Sequence, residues 1–323
     1  MSSHDNITLY ECFSTPFLLM SNKGSNLQKI ASPDRADTTM ATPPPRIWFR
    51  ISAREYEDIA DQYLKQQQVR SVLSRSYLPS QELPLCLDSE SDIVRASALW
   101  FLHPVIKAMQ TLVPGATCAA EVVEPGVRCD VLIRVGDLNI AVLEYKNRGY
   151  LSRTNFVQAS IEDASNPVAA NIIRSMDPPK STDRNKTQPM DVTRLGGNAI
   201  ILTKQAGAYA TRFGTKYVAL FDWDSLFLWK FAALKLLPRH MGIHGEWAYG
   251  TWVEGRDRFR IVLLGFFMKA YQDRKNKGSQ YGYPARDPWL PSQEELNRRR
   301  QAYEAQQRQK IGSKNVEAYS RRW

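Results

Sequence analysis

The chain has 323 residues, of which 43% are hydrophobic, and this is enough to bury the core of one large or two modest domains. No stretch approaches the ~20 apolar residues that cross a bilayer, so the sequence excludes a membrane-spanning segment and predicts no membrane partner. The net charge of +10 instead favours a polyanionic partner such as nucleic acid.

The cysteine pattern and the first residues indicate the compartment. The four cysteines have no paired spacing, which is typical neither of a disulfide framework nor of a zinc site. The first residues lack the basic start of a signal peptide. We therefore expect reduced thiols in an intracellular protein, nuclear or cytoplasmic, that is not secreted.

The first elements in chain order are a leader and two helices. Residues 1–45 are rich in Ser, Thr, Asn and Asp and end in a run of prolines, a composition that predicts a disordered leader. Apolar residues then recur at helical spacing in Arg54–Gln68 and again in Ser89–Leu112. Pro114-Gly115 ends the second helix.

Three short strands follow this helix. They are predicted over Thr117–Glu124, Arg128–Val135 and Leu138–Lys146, with Pro125-Gly126 and Gly136-Asp137 forming the turns between them. The sequence therefore predicts a meander of three strands.

An insertion and a second set of core elements come next. The insertion covers about residues 148–191 and contains a predicted helix at about 155–174. After it we predict a helix over Val192–Phe213 and a hairpin of two strands, Lys216–Phe221 and Leu226–Phe231.

The C-terminal part is helical and basic. An amphipathic helix is predicted over Arg258–Arg274, and another over Ser292–Lys310 opens with capping-box spacing. Residues 272–323 contain twelve Lys or Arg against six Asp or Glu. Two interpretations of this basic helical tail are equally open, a solvated helix with a frayed end and an arm that binds nucleic acid.

Two charged residues end the third strand of the meander, and they suggest a site. Glu144 and Lys146 follow an apolar run and are two residues apart, so their side chains lie on one face of the strand. The preceding antiparallel strand starts where this strand ends, which brings Asp130 beside Glu144. Paired carboxylates favour a hard divalent cation such as Mg²⁺ (or Mn²⁺), and Lys146 is suited to orient or deprotonate a water.

Asp130 followed by Glu144-Tyr145-Lys146 resembles the signature of the PD-(D/E)XK nuclease superfamily, although Cys129 stands where that family usually has proline. The resemblance covers about residues 85–232. It implies a restriction-endonuclease-like core in which Asp130 and Glu144 hold the metal, the Tyr145 carbonyl also ligates it, and Lys146 serves the attacking water.

The later helix contains Lys204-Gln205-Ala206-Gly207-Ala208-Tyr209, which is similar to the Gln-x-x-x-Tyr element of the RecB-like and phage-exonuclease branches. Gln205 and Tyr209 are four apart and share a helical face. Glu90 resembles the additional helix-borne acid that some members use as a metal ligand. Gln158, in the insertion, is the rival to Gln205, which is preferred because its helix runs directly into the hairpin.

Together these patterns predict an α/β protein with a restriction-endonuclease-like core of helix, three-strand meander, helix and two strands, and with added N- and C-terminal helices. The domain covers residues 46–271, and its resemblance implies a magnesium-dependent nuclease acting on nucleic acid, with DNA favoured over RNA. One alternative is a catalytically inactive domain of the same fold that binds nucleic acid or protein. Another is an ordinary salt bridge at a strand end, without catalysis.

Overall fold

The computed structural model describes residues 7–17, 39, 42–79, 87, 89–124, 126–162, 193–231 and 247–280. The strands of this part of the chain are β1 Ile47–Arg50, β2 Ala116–Glu124, β3 Val127–Val135, β4 Leu138–Tyr145, β5 Ser160–Ile161, β6 Tyr217–Phe221, β7 Leu226–Phe231 and β8 Trp247–Val253.

These eight strands form one mixed sheet in the order β2-β3-β4-β6-β7-β8-β1-β5. The meander β2-β3-β4 is antiparallel, and β6-β7-β8 is antiparallel as well. The two halves join where β4 pairs in parallel with β6. On the far side, β1 pairs in parallel with both β8 and β5. The part of the chain that the structure describes is therefore a mixed α/β fold.

The described helices are α1 Ala53–Leu64, α2 Gln67–Ser74, α3 Glu90–Ser97, α4 His103–Leu112, α5 Arg153–Val157, α6 Gly197–Phe213 and α7 Phe259–Gln280. A π-helical turn, Ala98–Leu102, joins α3 to α4. Within the described ranges, no helix has the length and apolar character that spanning a membrane requires.

Two hydrophobic clusters cover the two faces of the sheet. Leu143 and Tyr145 of β4 belong to the cluster that includes residues of α1 to α4 and α7, whereas Val142 belongs to the cluster of α5 and α6. Successive residues of a strand point to opposite faces, so a strand covered on both faces must be apolar at nearly every position. This explains the continuous apolar run before Glu144.

The predicted order of core elements is confirmed. The long helix predicted before the meander is present as α3, the π-helical turn and α4, and the three strands lie within a few residues of their predicted bounds. The helix predicted over Val192–Phe213 begins later, at Gly197, and ends as predicted. The hairpin is present as β6 and β7.

Other predictions need correction. The helix predicted over Arg54–Gln68 ends at Leu64, and a separate helix, α2, follows it. The helix predicted at about 155–174 is wrong in its described part, because α5 ends at Val157 and β5 follows. The rest of the insertion lies outside the described residues. Strand β1 was missed because its pairing partner β8 is remote in sequence, which local patterns do not reveal. Strand β8 was missed as well, although it also pairs with β7, the preceding strand.

The prediction of a disordered leader is wrong for residues 7–17. Leu9, Cys12 and Phe17 are buried in the same cluster as α1 to α4, and Thr8 forms a β-bridge with Tyr77. The polar composition of the leader concealed a few apolar residues that find partners in the folded protein. Most of the remaining leader lies outside the described residues.

A buried arginine of α7 holds this N-terminal segment. Arg260 donates to the carbonyl oxygens of Trp100 at 2.7 Å, Cys12 at 2.8 Å and Thr15 at 3.1 Å, and its guanidinium lies over the Phe17 ring. These hydrogen bonds join α7, the π-helical turn and the N-terminal segment. Planar guanidinium groups suit several acceptors at once, and a lysine amine cannot reproduce this geometry.

Helix α7 is also anchored at Asp273. Asp273 accepts a hydrogen bond from the Tyr217 hydroxyl and forms ion pairs with Lys230 at 3.0 Å and Lys269 at 3.1 Å. Residues 1–274 form one compact unit and residues 275–323 a second one. The boundary predicted at residue 272 therefore lies within the anchored part of α7, and the helix predicted over Ser292–Lys310 is outside the described residues.

Substitution of Arg260 tests whether the N-terminal segment is part of the fold. We expect Arg260→Lys to lower the free energy of unfolding by about 3 kcal/mol, because buried carbonyl groups lose their donors. Urea denaturation measures this change. The control is Arg54→Lys, since Arg54 is exposed. Equal stability of the two variants would contradict the anchoring role of Arg260.

Candidate functional site

The site forms where the antiparallel ladder between β3 and β4 stops. The last paired residues are Val131 and Leu143, and the next position along each strand carries a carboxylate, Asp130 and Glu144. The N–H of Asp130 donates to Glu144 Oε2 at 3.3 Å, and the N–H of Tyr145 donates to Asp130 Oδ2 at 2.7 Å. Each carboxylate therefore accepts a hydrogen bond from a backbone N–H of the opposite strand.

Glu144 is 3% exposed, and three donors converge on its Oε1 atom. Lys146 Nζ donates at 2.6 Å, Gln205 Nε2 at 2.9 Å and the Tyr209 hydroxyl at 2.9 Å. A buried carboxylate is stable only when it is paired and hydrogen-bonded. All five side chains predicted for catalysis, including Asp130, therefore lie in one cluster.

Helix α6 supplies two of these donors. Gln205 and Tyr209 are one turn apart, and Gln205 also donates to the Tyr209 hydroxyl, so both side chains point at Glu144. Burial, together with the nearby Glu144 charge, raises the pKa of Tyr209 well above its ordinary value. The hydroxyl therefore stays protonated and remains a donor.

Lys146 is held through both its backbone and its side chain. Its N–H donates to the Phe221 carbonyl at 2.8 Å, which continues the pairing of β4 with β6. Burial alone would lower the pKa of Lys146, but the carboxylates of Glu144, then Glu90 and Asp130, outweigh burial and raise it. The amine is therefore a cation in the folded protein.

Asp130 adds a second acid to the site. Burial and the neighbouring Glu144 raise the pKa of Asp130 to about 7, and the charge of Lys146 opposes this shift. Carboxylates this close repel one another unless a cation compensates them. When both carboxylates are ionised, one lysine cannot neutralise them.

The donor set fits a hard divalent cation. Among the residues that the structure describes, no group of three or more His, Cys, Asp or Glu is placed to hold a metal ion. Asp130 and Glu144 would therefore act as a pair, with water completing the coordination. Carboxylate oxygen with several retained waters is the environment that Mg²⁺ prefers.

The remaining predicted residues have different positions. The side chain of Tyr145 points to the opposite face, so only its backbone can take part in the site. Glu90 begins α3, and its charge acts on Lys146. Gln158 lies beside Gly196 at the start of α6. The structure thus brings Gln205, and not Gln158, to Glu144.

The site also contains a distortion that sequence did not predict. Pairing between β2 and β3 is interrupted between Ala120 and Val122, where Glu121 has a φ of 50°. The position opposite Glu121 is that of Asp130. Left-handed backbone is uncommon for a glutamate and tends to occur near functional sites.

Two acids of the β6–β7 hairpin were predicted only as turn residues. Asp222 is fully buried. Its Oδ2 accepts the N–H groups of Gly149 at 3.1 Å and Leu151 at 2.9 Å, and its Oδ1 accepts those of Asp224 at 3.2 Å and Ser225 at 2.8 Å. Asp222 therefore holds the chain just after Lys146 against the hairpin.

Asp224 completes this attachment. It accepts two hydrogen bonds from Arg148, at 2.7 and 2.9 Å, and it also pairs with Arg256. Between the two acids, Trp223 has a φ of 75°, which is a strained conformation for a bulky residue. A turn pattern rich in Asp could suggest capping, but it could not show that a segment more than seventy residues away is the partner.

Comparison with protein-family models, curated proteins and solved structures found no match to this chain. The function is therefore inferred from the residues and the geometry of the site.

The attachment made by Asp222 predicts a large effect of an isosteric substitution. In Asp222→Asn, one oxygen becomes an NH₂ group that faces two backbone donors. We expect the free energy of unfolding to fall by about 2–4 kcal/mol, measured by urea denaturation. Asp58→Asn is the control, because Asp58 lies in an exposed ion pair. A loss no greater than that of the control would show that Asp222 does not hold the segment.

Proposed function

We propose that the protein is a metal-dependent hydrolase of phosphodiester bonds in nucleic acid, with DNA favoured over RNA. The observation that carries this proposal is the convergence of Lys146, Gln205 and Tyr209 on Glu144, beside a second carboxylate from Asp130. Two acids and one lysine are the groups of the PD-(D/E)XK signature, and two polar helix residues form the Gln-x-x-x-Tyr element of its RecB-like and phage-exonuclease branches.

The electrostatics of the site favour this function over a salt bridge with a purely structural role. Glu144 and Lys146 alone would be a neutral pair. Asp130 adds an acid whose pKa is raised to about 7 by burial and by Glu144. Asp130 is half-buried, and a second acid in such surroundings costs stability unless it has a task or a cationic partner. Binding of a divalent cation would give Asp130 both a task and a cationic partner.

Each residue has a defined role in the proposed chemistry. Asp130 and Glu144 would hold Mg²⁺ or Mn²⁺, which when bound would compensate negative charge and lower the pKa of a bound water. Lys146 is a protonated amine able to orient a water or to offset negative charge on a phosphoryl group. Gln205 and Tyr209 fix the orientation of Glu144 through its Oε1 atom.

The order of elements supports the restriction-endonuclease-like interpretation. A helix precedes the meander, and α6 directly precedes β6, the parallel neighbour of β4. The site lies at the carboxyl end of β4, beside this parallel pair. Strands β8, β1 and β5 enlarge the sheet beyond the predicted core without changing the arrangement around β4.

A binding domain without catalysis is the second candidate, and the burial of the site favours it. Glu144 and Lys146 are only 3% and 6% exposed, and all three donors bind the same oxygen of Glu144. Such a cluster can stabilise a fold without binding a substrate. Substitution of Lys146 distinguishes the two candidates.

We expect Lys146→Ala to reduce cleavage of DNA or RNA by about 10²–10⁴-fold in the presence of Mg²⁺ or Mn²⁺, because the water and the phosphoryl group lose a cationic partner. Fluorescence-based cleavage assays on single- and double-stranded substrates measure this. The control is Lys65→Ala, since Lys65 is exposed. Absence of cleavage by the wild-type protein on every substrate would favour the binding domain, and equal rates for both variants would remove Lys146 from catalysis.

The basic tail gives a prediction about substrate binding. Removing residues 281–323 keeps α7 and the Asp273 anchor but deletes most of the excess positive charge of the tail. We expect weaker nucleic-acid binding with a flatter salt dependence, because fewer phosphate contacts release fewer counterions. Fluorescence anisotropy at several salt concentrations measures both quantities. Unchanged affinity and salt slope would show that the tail charges only interact with solvent.

A further inference from the structure

Trp223 has a backbone conformation that its surroundings must enforce. Its φ is 75°, its side chain is fully buried, and it lies in the turn that joins β6 to β7. Left-handed backbone is a strained state for a bulky residue, and such a state persists only where neighbouring contacts determine it. The contacts of the indole ring therefore decide whether the turn keeps this shape.

Phe17, in the N-terminal segment, supplies one of these contacts. Its ring packs edge-on against Trp223 with the ring centroids 4.5 Å apart, whereas the Phe221 ring is 6.2 Å from the indole. Phe17 is itself fixed, because its ring lies 5.6 Å from that of Phe101 and 4.6 Å below the guanidinium carbon of Arg260. It is therefore able to hold the indole in place.

The two acids that flank Trp223 hold residues 148–151, the segment that follows the site. Asp222 accepts backbone N–H groups of this segment at 2.9 and 3.1 Å, and Asp224 accepts two hydrogen bonds from its arginine at 2.7 and 2.9 Å. The dihedral angles of Trp223 set the directions of both acids relative to each other. If Trp223 left the left-handed region, the two carboxylates could not both keep these partners.

The same turn adjoins the lysine of the site. The N–H of Lys146 donates to the carbonyl of Phe221 at 2.8 Å, and Asp222 is the next residue in the chain. Lys146 is thus attached to β4 on one side and to residues 148–151 on the other. Displacement of that segment therefore changes the position of the amine relative to Glu144.

We propose that Phe17 is a positioning residue for the site. Its contact holds Trp223 in the left-handed conformation, the turn of residues 222–225 then fixes residues 148–151, and these in turn fix Lys146. The effect on catalysis rests on the proposed function, whereas the ordering of residues 148–151 does not.

Hydrogen exchange measured by mass spectrometry tests the ordering in the full chain, without substrate or metal. Phe17→Leu loses the ring contact, and Phe13→Leu is the control because Phe13 is buried in the same N-terminal segment. We expect the N–H groups of Gly149 and Leu151 to exchange about 2–12-fold faster in Phe17→Leu, the factor that corresponds to the loss of one aromatic pair. The N–H groups of β4 report global stability, and we expect them to change less.

Two results of this experiment overturn the proposal. One is an equal acceleration of exchange in β4 and at Gly149 and Leu151, which indicates only a less stable fold. The other is the same local acceleration in Phe13→Leu, which shows that any buried ring of the N-terminal segment has this effect.

Substitution of Trp223 tests the conformational step separately. Trp223→Ala and Trp223→Gly both remove the indole, but glycine adopts positive φ without strain and alanine does not. We expect Gly149 and Leu151 to exchange more slowly in Trp223→Gly than in Trp223→Ala. Equal rates or the reverse order overturn the proposal, and this comparison also decides the question if Phe17→Leu does not fold.

Cleavage kinetics with Mg²⁺ or Mn²⁺ connect the ordering to catalysis. After correction for the folded fraction, measured by circular dichroism, we expect Phe17→Leu to lower kcat and to change KM little, because a displaced Lys146 affects the reaction step more than substrate binding. An unchanged kcat overturns the effect on Lys146. Absence of cleavage by the wild-type protein removes the proposed function and this effect with it, whereas the exchange rates still confirm or overturn the ordering of residues 148–151.

Discussion

The burial of the Glu144 carboxylate is the constraint on which the surrounding structure depends. A charge in the interior needs donors, and here they come from separate parts of the chain: Lys146 from the same strand, Gln205 and Tyr209 from α6, and a backbone N–H from β3. Helix α6 directly precedes β6, which pairs in parallel with β4, and its Gln205 and Tyr209 side chains reach the end of β4. The fold and the site are therefore consequences of the same arrangement.

A second set of contacts fixes the segment that follows the site. Asp222 binds the backbone after Lys146, and the neighbouring Trp223 packs against Phe17 with ring centroids 4.5 Å apart. Phe17 in turn lies under the guanidinium of Arg260. The N-terminal segment is thus connected through packed side chains to the hairpin beside the site, which gives a polar leader sequence a structural role.

Local patterns predicted most of the core elements. Helical spacing indicated α3, α4 and α7, and glycine turns indicated the meander, because these signals depend on neighbouring residues only. The clustering of Asp130, Glu144 and Lys146 could be predicted too, since antiparallel register and the two-residue period of a strand determine which side chains share a face. Strand β1 and the N-terminal segment could not, because their partners are remote in sequence.

The sequence by itself determined the apolar run of β4, the charged residues at its end, and the one-turn separation of Gln205 from Tyr209. Only the tertiary structure decided that Gln205, and not Gln158, donates to Glu144, and that Asp222 holds the segment after Lys146. The physical reason is that such contacts join distant segments. A short polar pattern is compatible with many partners, and the packing of helices on both faces of the sheet selects one of them.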